Sequence, residues 1–165
     1  MIIMTDGTII MNGIDGLAVC SNIIESASNE VVYISPPSLL VLASQFGLTD
    51  KTRLFIQKGG HVRAIVNLSY PYIKEARERL ASGVDLRHVS QYQGIFLLVG
   101  DKVESISTMT VNGENLAIDT PVVALWSKDP TYAEYLIATF EMAWEQAIPA
   151  AQRIEELLKE GPPQA

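Results

Sequence analysis

The sequence is poor in the groups from which many sites are built. It holds one cysteine, Cys20, and two histidines, His61 and His88. A single thiol excludes an internal disulfide and a zinc–cysteine cluster, and it fits a reducing compartment. Basic residues are few: 12 Lys and Arg stand against 19 Asp and Glu, for a net charge of −7. Nucleic-acid binders carry a basic stripe that displaces counterions from phosphates. No such stripe exists here, so direct nucleic-acid binding is not expected. No apolar run reaches the ~18 residues needed to cross a bilayer, and no charged segment precedes an apolar stretch as in a signal peptide. The chain also lacks a P-loop, a GxGxxG after a strand, a GxSxG elbow and an HExxH helix.

What is present is apolar. Of 165 residues, 48% are hydrophobic, enough for a single packed core and against intrinsic disorder. The expectation is one cytoplasmic, soluble domain over 1–165, with 1–7 as an N-terminal extension and 161–165 (GPPQA) as a tail or linker start.

Thr8–Met11 reads as a short strand after the Asp6-Gly7 turn signal. Asn12 and Asp15 are candidate N-caps for an amphipathic helix running from Gly16 to Ser28, in whose apolar face Cys20 packs. Val31–Ile34, stopped by Pro36-Pro37, reads as a buried strand. Helices over Leu39–Phe46 and Lys51–Lys58 follow, the second ended by Gly59-Gly60. His61–Asn67 is too densely apolar for a half-exposed strand and should be central. A helix over Tyr72–Ser82, with Ile73, Ala76 and Leu80 inward, leads to strands at Val84–Val89, Ile95–Val99, Lys102–Thr108 and Pro121–Trp126, with an Asn112-Gly113 turn before the last. Asp129-Pro130 opens a long helix whose inner face is Tyr132, Leu136, Phe140, Ala143 and Ala147. Pro149 breaks it, and a second piece covers Ala150–Lys159. Strands separated by helices pair in parallel, and a later run of strands adds antiparallel ones. The expected class is therefore α/β: a mixed, largely parallel sheet flanked by helices, with a proline-kinked C-terminal helix.

Few residues carry chemistry. Arg63 and Arg87 each interrupt an apolar strand with a full charge. A buried guanidinium needs either an internal carboxylate or an anionic ligand, and the sequence leaves both open. His61 reads as an exposed strand end. His88 stands beside Arg87, which disfavours an imidazolium or a metal, yet it ends a strand where α/β sheets border ligand crevices. No spacing among Asp85, Asp101, Glu104, Glu114 and Asp119 selects a carboxylate pair.

KGGHVRAIVN (58–67), GVDLRHV (83–89), a strand pair, and WSKDPTYAEYLIATFEMAWEQAIPAAQRIEEL (126–157) occur in that order. Together they resemble the PLD-like (phospholipase D fold) sensor domains of archaeal signal-transduction proteins, found ahead of histidine kinase modules and in TrmB-type transcription regulators. The resemblance covers roughly Thr8 to Glu160. Its most specific pieces are Leu86-Arg87-His88 and FEMAWEQAIPAAQRIEEL, where Trp144 and Ile148-Pro149-Ala150 match an aromatic helix broken by proline.

The resemblance implies a fold whose enzymes use His-x-Lys-x4-Asp, the histidine as nucleophile and the lysine on the phosphate. Small members are homodimers with one motif from each chain. The corresponding stretch here is QGIFLLVGDKVESIST (93–108). Placing the aspartate position at Gly100 puts the other two at Gln93 and Ile95; using Asp101 gives Gly94 and Phe96. Neither register restores a nucleophile or a phosphate ligand. The implied function is a non-catalytic ligand-sensing and dimerising domain of a signalling or transcription-regulatory system, without cofactor or metal. A small, anionic ligand is expected at the C-terminal edge of the parallel strands, beside Asn67, Arg87, His88, Tyr92 and Trp126. Arg87 would pair the anion, Asn67 and His88 would hydrogen-bond, and the aromatics would stack; Trp126 as plain core is the alternative. A histidine kinase or DNA-binding module would lie outside these residues, so the chain reads as an excised domain or as a protein that signals by association. Two rival functions remain. One is a purely structural dimer built on Tyr135, Phe140 and Trp144; the other is a phosphodiesterase with relocated catalytic residues.

Overall fold

The computed structural model describes residues 7–91, 95–108 and 121–164. The first strand, β1 (Gly7–Asn12), hands over directly to α1 (Gly13–Ser26), because Asn12 accepts from the Asp15 N–H at 2.8 Å and caps the helix. β2 (Glu30–Ser35) stops before Pro36, and α2 (Ser38–Gln45) and α3 (Leu48–Gln57) follow. They are separated by Gly47 at φ 79°, a left-handed position that glycine occupies without steric cost. β3 (His61–Val66) leads through a short 3₁₀ turn at Tyr70–Tyr72 into α4 (Ile73–Ala81) and then β4 (Asp85–His88). β5 (Leu97–Gly100) and β6 (Glu104–Thr108) form a hairpin. Its turn holds Asp101 and Lys102 at φ 50° and 62°, whose twist suits antiparallel strands. β7 (Pro121–Ser127) precedes α5 (Pro130–Gln146), β8 (Ile148–Pro149) and α6 (Ala150–Glu160).

The eight strands form one sheet in the order β1-β7-β6-β5-β2-β3-β4-β8. The α/β class holds, but the expected largely parallel pairing does not. Only β2 with β3 and β3 with β4 are parallel; the other five neighbouring pairs are antiparallel. Of the neighbouring pairs, helices connect only β2 to β3 and β3 to β4, and parallel pairing needs such a crossover; α1 and α5 link strands that are not neighbours in the sheet. β8 is a strand the sequence reading did not contain. Pro149 indeed ends α5, but the extended residues it imposes pair with Arg87 and His88 along the outer edge of β4.

Alternation along the strands gives the sheet two cores. On the first face Val31, Tyr33, Val62, Ala64, Val66, Leu86, Leu98 and Ile106 pack under the other helices, among them α1. On the second, Val32, Ile34, Ile65, Leu97 and Val99 pack against α5 through Ala133, Leu136 and Phe140. Phe140 is 0% exposed and stacks on Trp144 at 5.4 Å. Phe140 is therefore core and Trp144 is partly buried against it, whereas the scaffold reading assigned both to an outward dimer surface; of the three, Tyr135 is the outward one, 67% exposed. No helix among the described residues is long and apolar enough to cross a membrane.

Candidate functional site

The strand pair that should hold phospholipase D chemistry is occupied by structural roles. Gly100 ends β5 where a Cβ would stand 2.7 Å from Ile23 Cγ2, so no aspartate side chain fits there without displacing Ile23. Asp101 is committed elsewhere. Its carboxylate accepts the backbone N–H groups of Ser28, Asn29 and Glu30 at 2.7, 2.8 and 2.9 Å. Partial burial works against its charge, yet the donors from Glu30, Ser28 and Asn29 outweigh it and hold the carboxyl below its ordinary value. Asp101 thus clamps the start of β2 to the hairpin. Phe96 packs against the first core. Gln93 and Gly94 lie outside the described residues.

The two strand arginines form one layer on the second face. Arg63 donates to both oxygens of Glu141, at 2.6 and 3.2 Å, and to Glu30 Oε1 at 3.4 Å. The hydrogen bond to Arg63 is the leading cause that holds the Glu141 carboxyl below its usual range. Its guanidinium also lies 5.1 Å from the Phe140 ring centre and 5.3 Å from that of Trp144. The internal ion pair, one of the two outcomes left open by the sequence, is what Arg63 makes. Arg87 has a different environment. It stacks 3.9 Å from the Trp144 ring centre and donates to the Trp144 carbonyl at 3.2 Å.

The four expected ligand neighbours that lie among the described residues are not gathered at one place. Arg87 and His88 are successive residues of one strand, so they point to opposite faces. His88 is 4% exposed on the first face. Its Nδ1 accepts the Leu68 N–H at 2.8 Å, and Ser90 Oγ lies 3.4 Å from Nε2. The accepting Nδ1 places the proton on Nε2. Burial first, and then the Arg153 charge, push its pKa down to about 4, with Glu156 opposing. His88 is neutral at pH 7 and serves as a fixed acceptor for the chain leaving β3. Asn67 is half-buried where β3 ends. Trp126 sits on β7, five strands along the sheet from β4, a separation of about 24 Å at ~4.8 Å per strand. There it packs on the first core, donates Nε1–H to Glu104 at 2.9 Å and lies 5.5 Å from Lys128 Nζ. Tyr92 lies outside the described residues. Among the described residues, no group of three His, Cys, Asp or Glu side chains is placed to hold a metal.

The sequence reading missed a second location. Where β2 ends on the first face, Tyr33, Ser35 and Arg79 line an otherwise largely apolar cavity of about 50 Å³. Arg79 belongs to the buried stripe of α4, which runs Ile73, Ala76, Arg79. The signal was in the spacing: a cation at i+6 of an inward i, i+3 series. Cys20 is also in this wall, and burial pushes its thiol up to about 12, so it is an inert apolar group.

No protein-family model matches the chain. No curated protein matches it by sequence. Solved structures match it in fold. One is TrmBL2, described as an archaeal chromatin protein with a novel mode of DNA binding. It superposes with a TM-score of 0.67 at 13% identity over 90% of this chain, which spans 55% of the length of that one. Nuc from Salmonella typhimurium, a phospholipase D family member, gives 0.65 at 14% identity over 87% of this chain and 98% of its own. NucT from Helicobacter pylori gives 0.64 at 11% identity over 87% and 98%. The sheet and its helices therefore define a phospholipase D-like fold, occupied here by a chain in which neither histidine opens a His-x-Lys pair.

Proposed function

We propose that the chain is a non-catalytic regulatory module. It binds a small anionic ligand, pairs with a second copy, and passes its state to a partner such as a histidine kinase or a DNA-binding module in the cytoplasm. One observation carries this reading: the fold of phosphodiester enzymes is kept, while the stretch in which the resemblance places their catalytic residues holds Gln93, Ile95 and Gly100 in one register and Gly94, Phe96 and Asp101 in the other, Gly100 with its Cβ space taken by Ile23. A nucleophile cannot be restored there by side-chain motion alone. DNA binding is reported for TrmBL2. The net charge of −7 opposes it for this chain, because a phosphate backbone repels an acidic surface.

Native mass spectrometry of freshly purified protein tests this reading. A dimer is expected. A monomer throughout the micromolar range, or phosphodiester hydrolysis above the buffer rate by the same preparation, would overturn it. A purely structural scaffold is the second reading. Tyr135 and Met142 favour it, being 67% and 71% exposed on α5 beside a groove lined by Val89, Thr139 and Ala143.

A further inference from the structure

Arg79 is a buried cation that forms no ion pair among the described residues. It is 3% exposed, and its Nε has no hydrogen-bond partner among the described residues. Glu75 lies one turn earlier on α4; its Oε2 is buried and equally without a hydrogen-bond partner, and the two side chains form no ion pair within 4.0 Å. Two more polar atoms of the same cavity are in this condition: Tyr33 Oη and Ser35 Oγ. Thr52, the remaining hydroxyl in the wall, is already satisfied, donating to the Leu48 carbonyl at 2.8 Å. Native interiors satisfy nearly all buried polar atoms, and three orphans around one cavity are far from that norm. Burial raises the Tyr33 pKa, the Arg79 charge opposing, so its hydroxyl is a neutral donor.

The chemistry of the wall selects the ligand. It offers one positive charge and two hydroxyl donors, and its acidic neighbour Glu75 is not part of the lining. The complement is a monoanion with acceptor oxygens. A planar carboxylate matches a guanidinium, which can hold it through paired N–H donors. A phosphate dianion would leave a negative charge uncompensated among Leu40, Phe96 and Leu98. Size narrows the class further. About 50 Å³ holds roughly three to five water-sized groups at ~10–15 Å³ each, the heavy-atom count of acetate or propionate.

We infer that this cavity is a binding site for a short-chain monocarboxylate, its carboxylate held by Arg79, Tyr33 and Ser35 and its alkyl body set against Leu40, Phe96 and Leu98. The site deepens, and rests on, the ligand-sensing reading above. Its position gives a bound acid a route outward. Ser35 is the last residue of β2, Pro36-Pro37 and α2 follow it, and Leu40 brings α2 into the wall. Occupancy therefore ties α2 to α4 across the end of the sheet.

Thermal unfolding and calorimetric titration of the full chain with sodium propionate test this, with sodium chloride and sodium phosphate at matched ionic strength as controls. Propionate is expected to raise the wild-type midpoint progressively, with the logarithm of its concentration once the site is mostly filled. Its affinity should fall about tenfold or more in Arg79→Met and about threefold to tenfold in Tyr33→Phe, which keeps the ring packing. No response to propionate beyond chloride overturns the inference, and so does a response as strong in both variants as in the wild type. A larger, Arg79-dependent response to phosphate overturns the carboxylate assignment. A propionate response retained in Arg79→Met removes this site but leaves ligand sensing elsewhere standing. Phosphodiester hydrolysis would remove the non-catalytic reading without touching the Arg79-dependent affinity.

Discussion

Replacing Arg79 by methionine asks whether a buried charge has a partner, and the answer is read in the sign of a stability change. Removing one member of a satisfied buried ion pair costs about 3–5 kcal/mol. Replacing a whole buried ion pair by apolar side chains of similar volume is often neutral or stabilises by about 1–4 kcal/mol, and a buried ion without a partner has still less attraction to lose. Arg79 is 3% exposed, its Nε has no hydrogen-bond partner and no carboxylate among the described residues forms an ion pair with it, so the second case applies in buffer free of carboxylates. Arginine and methionine have similar helix propensities, so α4 itself contributes little to the difference. Arg79→Met is therefore expected to gain up to about 4 kcal/mol in urea unfolding followed by the fluorescence of Trp126 and Trp144, with an unchanged slope. Each kcal/mol corresponds to roughly 2–4 °C in the midpoint for a domain of this size. Arg63→Met is the control of opposite sign. Its guanidinium is paired with Glu141, whose side chain is 43% exposed, so solvent screening limits the loss to about 1 kcal/mol. Destabilisation of Arg79→Met by about 3–5 kcal/mol would refute the reasoning, because it would mean that the guanidinium is compensated within the protein.

Three further outcomes follow from the same geometry. Phe140, 0% exposed at the centre of the second core, should lose about 3–5 kcal/mol on truncation to alanine, measured by urea unfolding. Asp101→Asn keeps the left-handed turn at φ 50° but removes the charge that three backbone N–H groups share; a loss of about 1–3 kcal/mol at pH 7 is expected, shrinking as acid titrates the wild-type carboxylate. His88 is held neutral with a pKa of about 4 against an ordinary 6.5. The unfolded chain therefore takes up its proton first, and stability is lost as pH falls from about 6.5 towards 4. Between pH 7 and pH 4 the wild type should lose roughly 3 kcal/mol more than His88→Gln in paired unfolding curves.

Most elements were legible because local chemistry and tertiary packing agree on them. The Asp129-Pro130 start of α5, the Asn12 cap of α1 and the dense apolar runs of β2 and β3 point the same way at every level. Pairing direction was less legible. A strand's residues do not say which neighbour it takes, and β8, two residues long, exists only because Pro149 lies against β4. The candidate site was legible only in its parts. Arg63 and Arg87 do mark a special layer, but Glu141 and Trp144 that complete it come from a helix far along the chain. Arg87 and His88 look like a pair in sequence, and alternation alone separates them. Arg79 was hidden for the opposite reason. On a helix rich in charge, a cation on the inward stripe resembles its solvated neighbours Arg77 and Glu78 until the packing is known.

Phosphodiester turnover bears most directly on whether this fold is used here for binding alone. Release of p-nitrophenolate from bis(p-nitrophenyl) phosphate would be followed for the wild-type chain beside His61→Ala and His88→Ala, which between them remove both histidines in the sequence. A binding module predicts the buffer rate for all three and no phosphohistidine trapped by acid-free quenching. Turnover by the wild type that disappears with either histidine would contradict it.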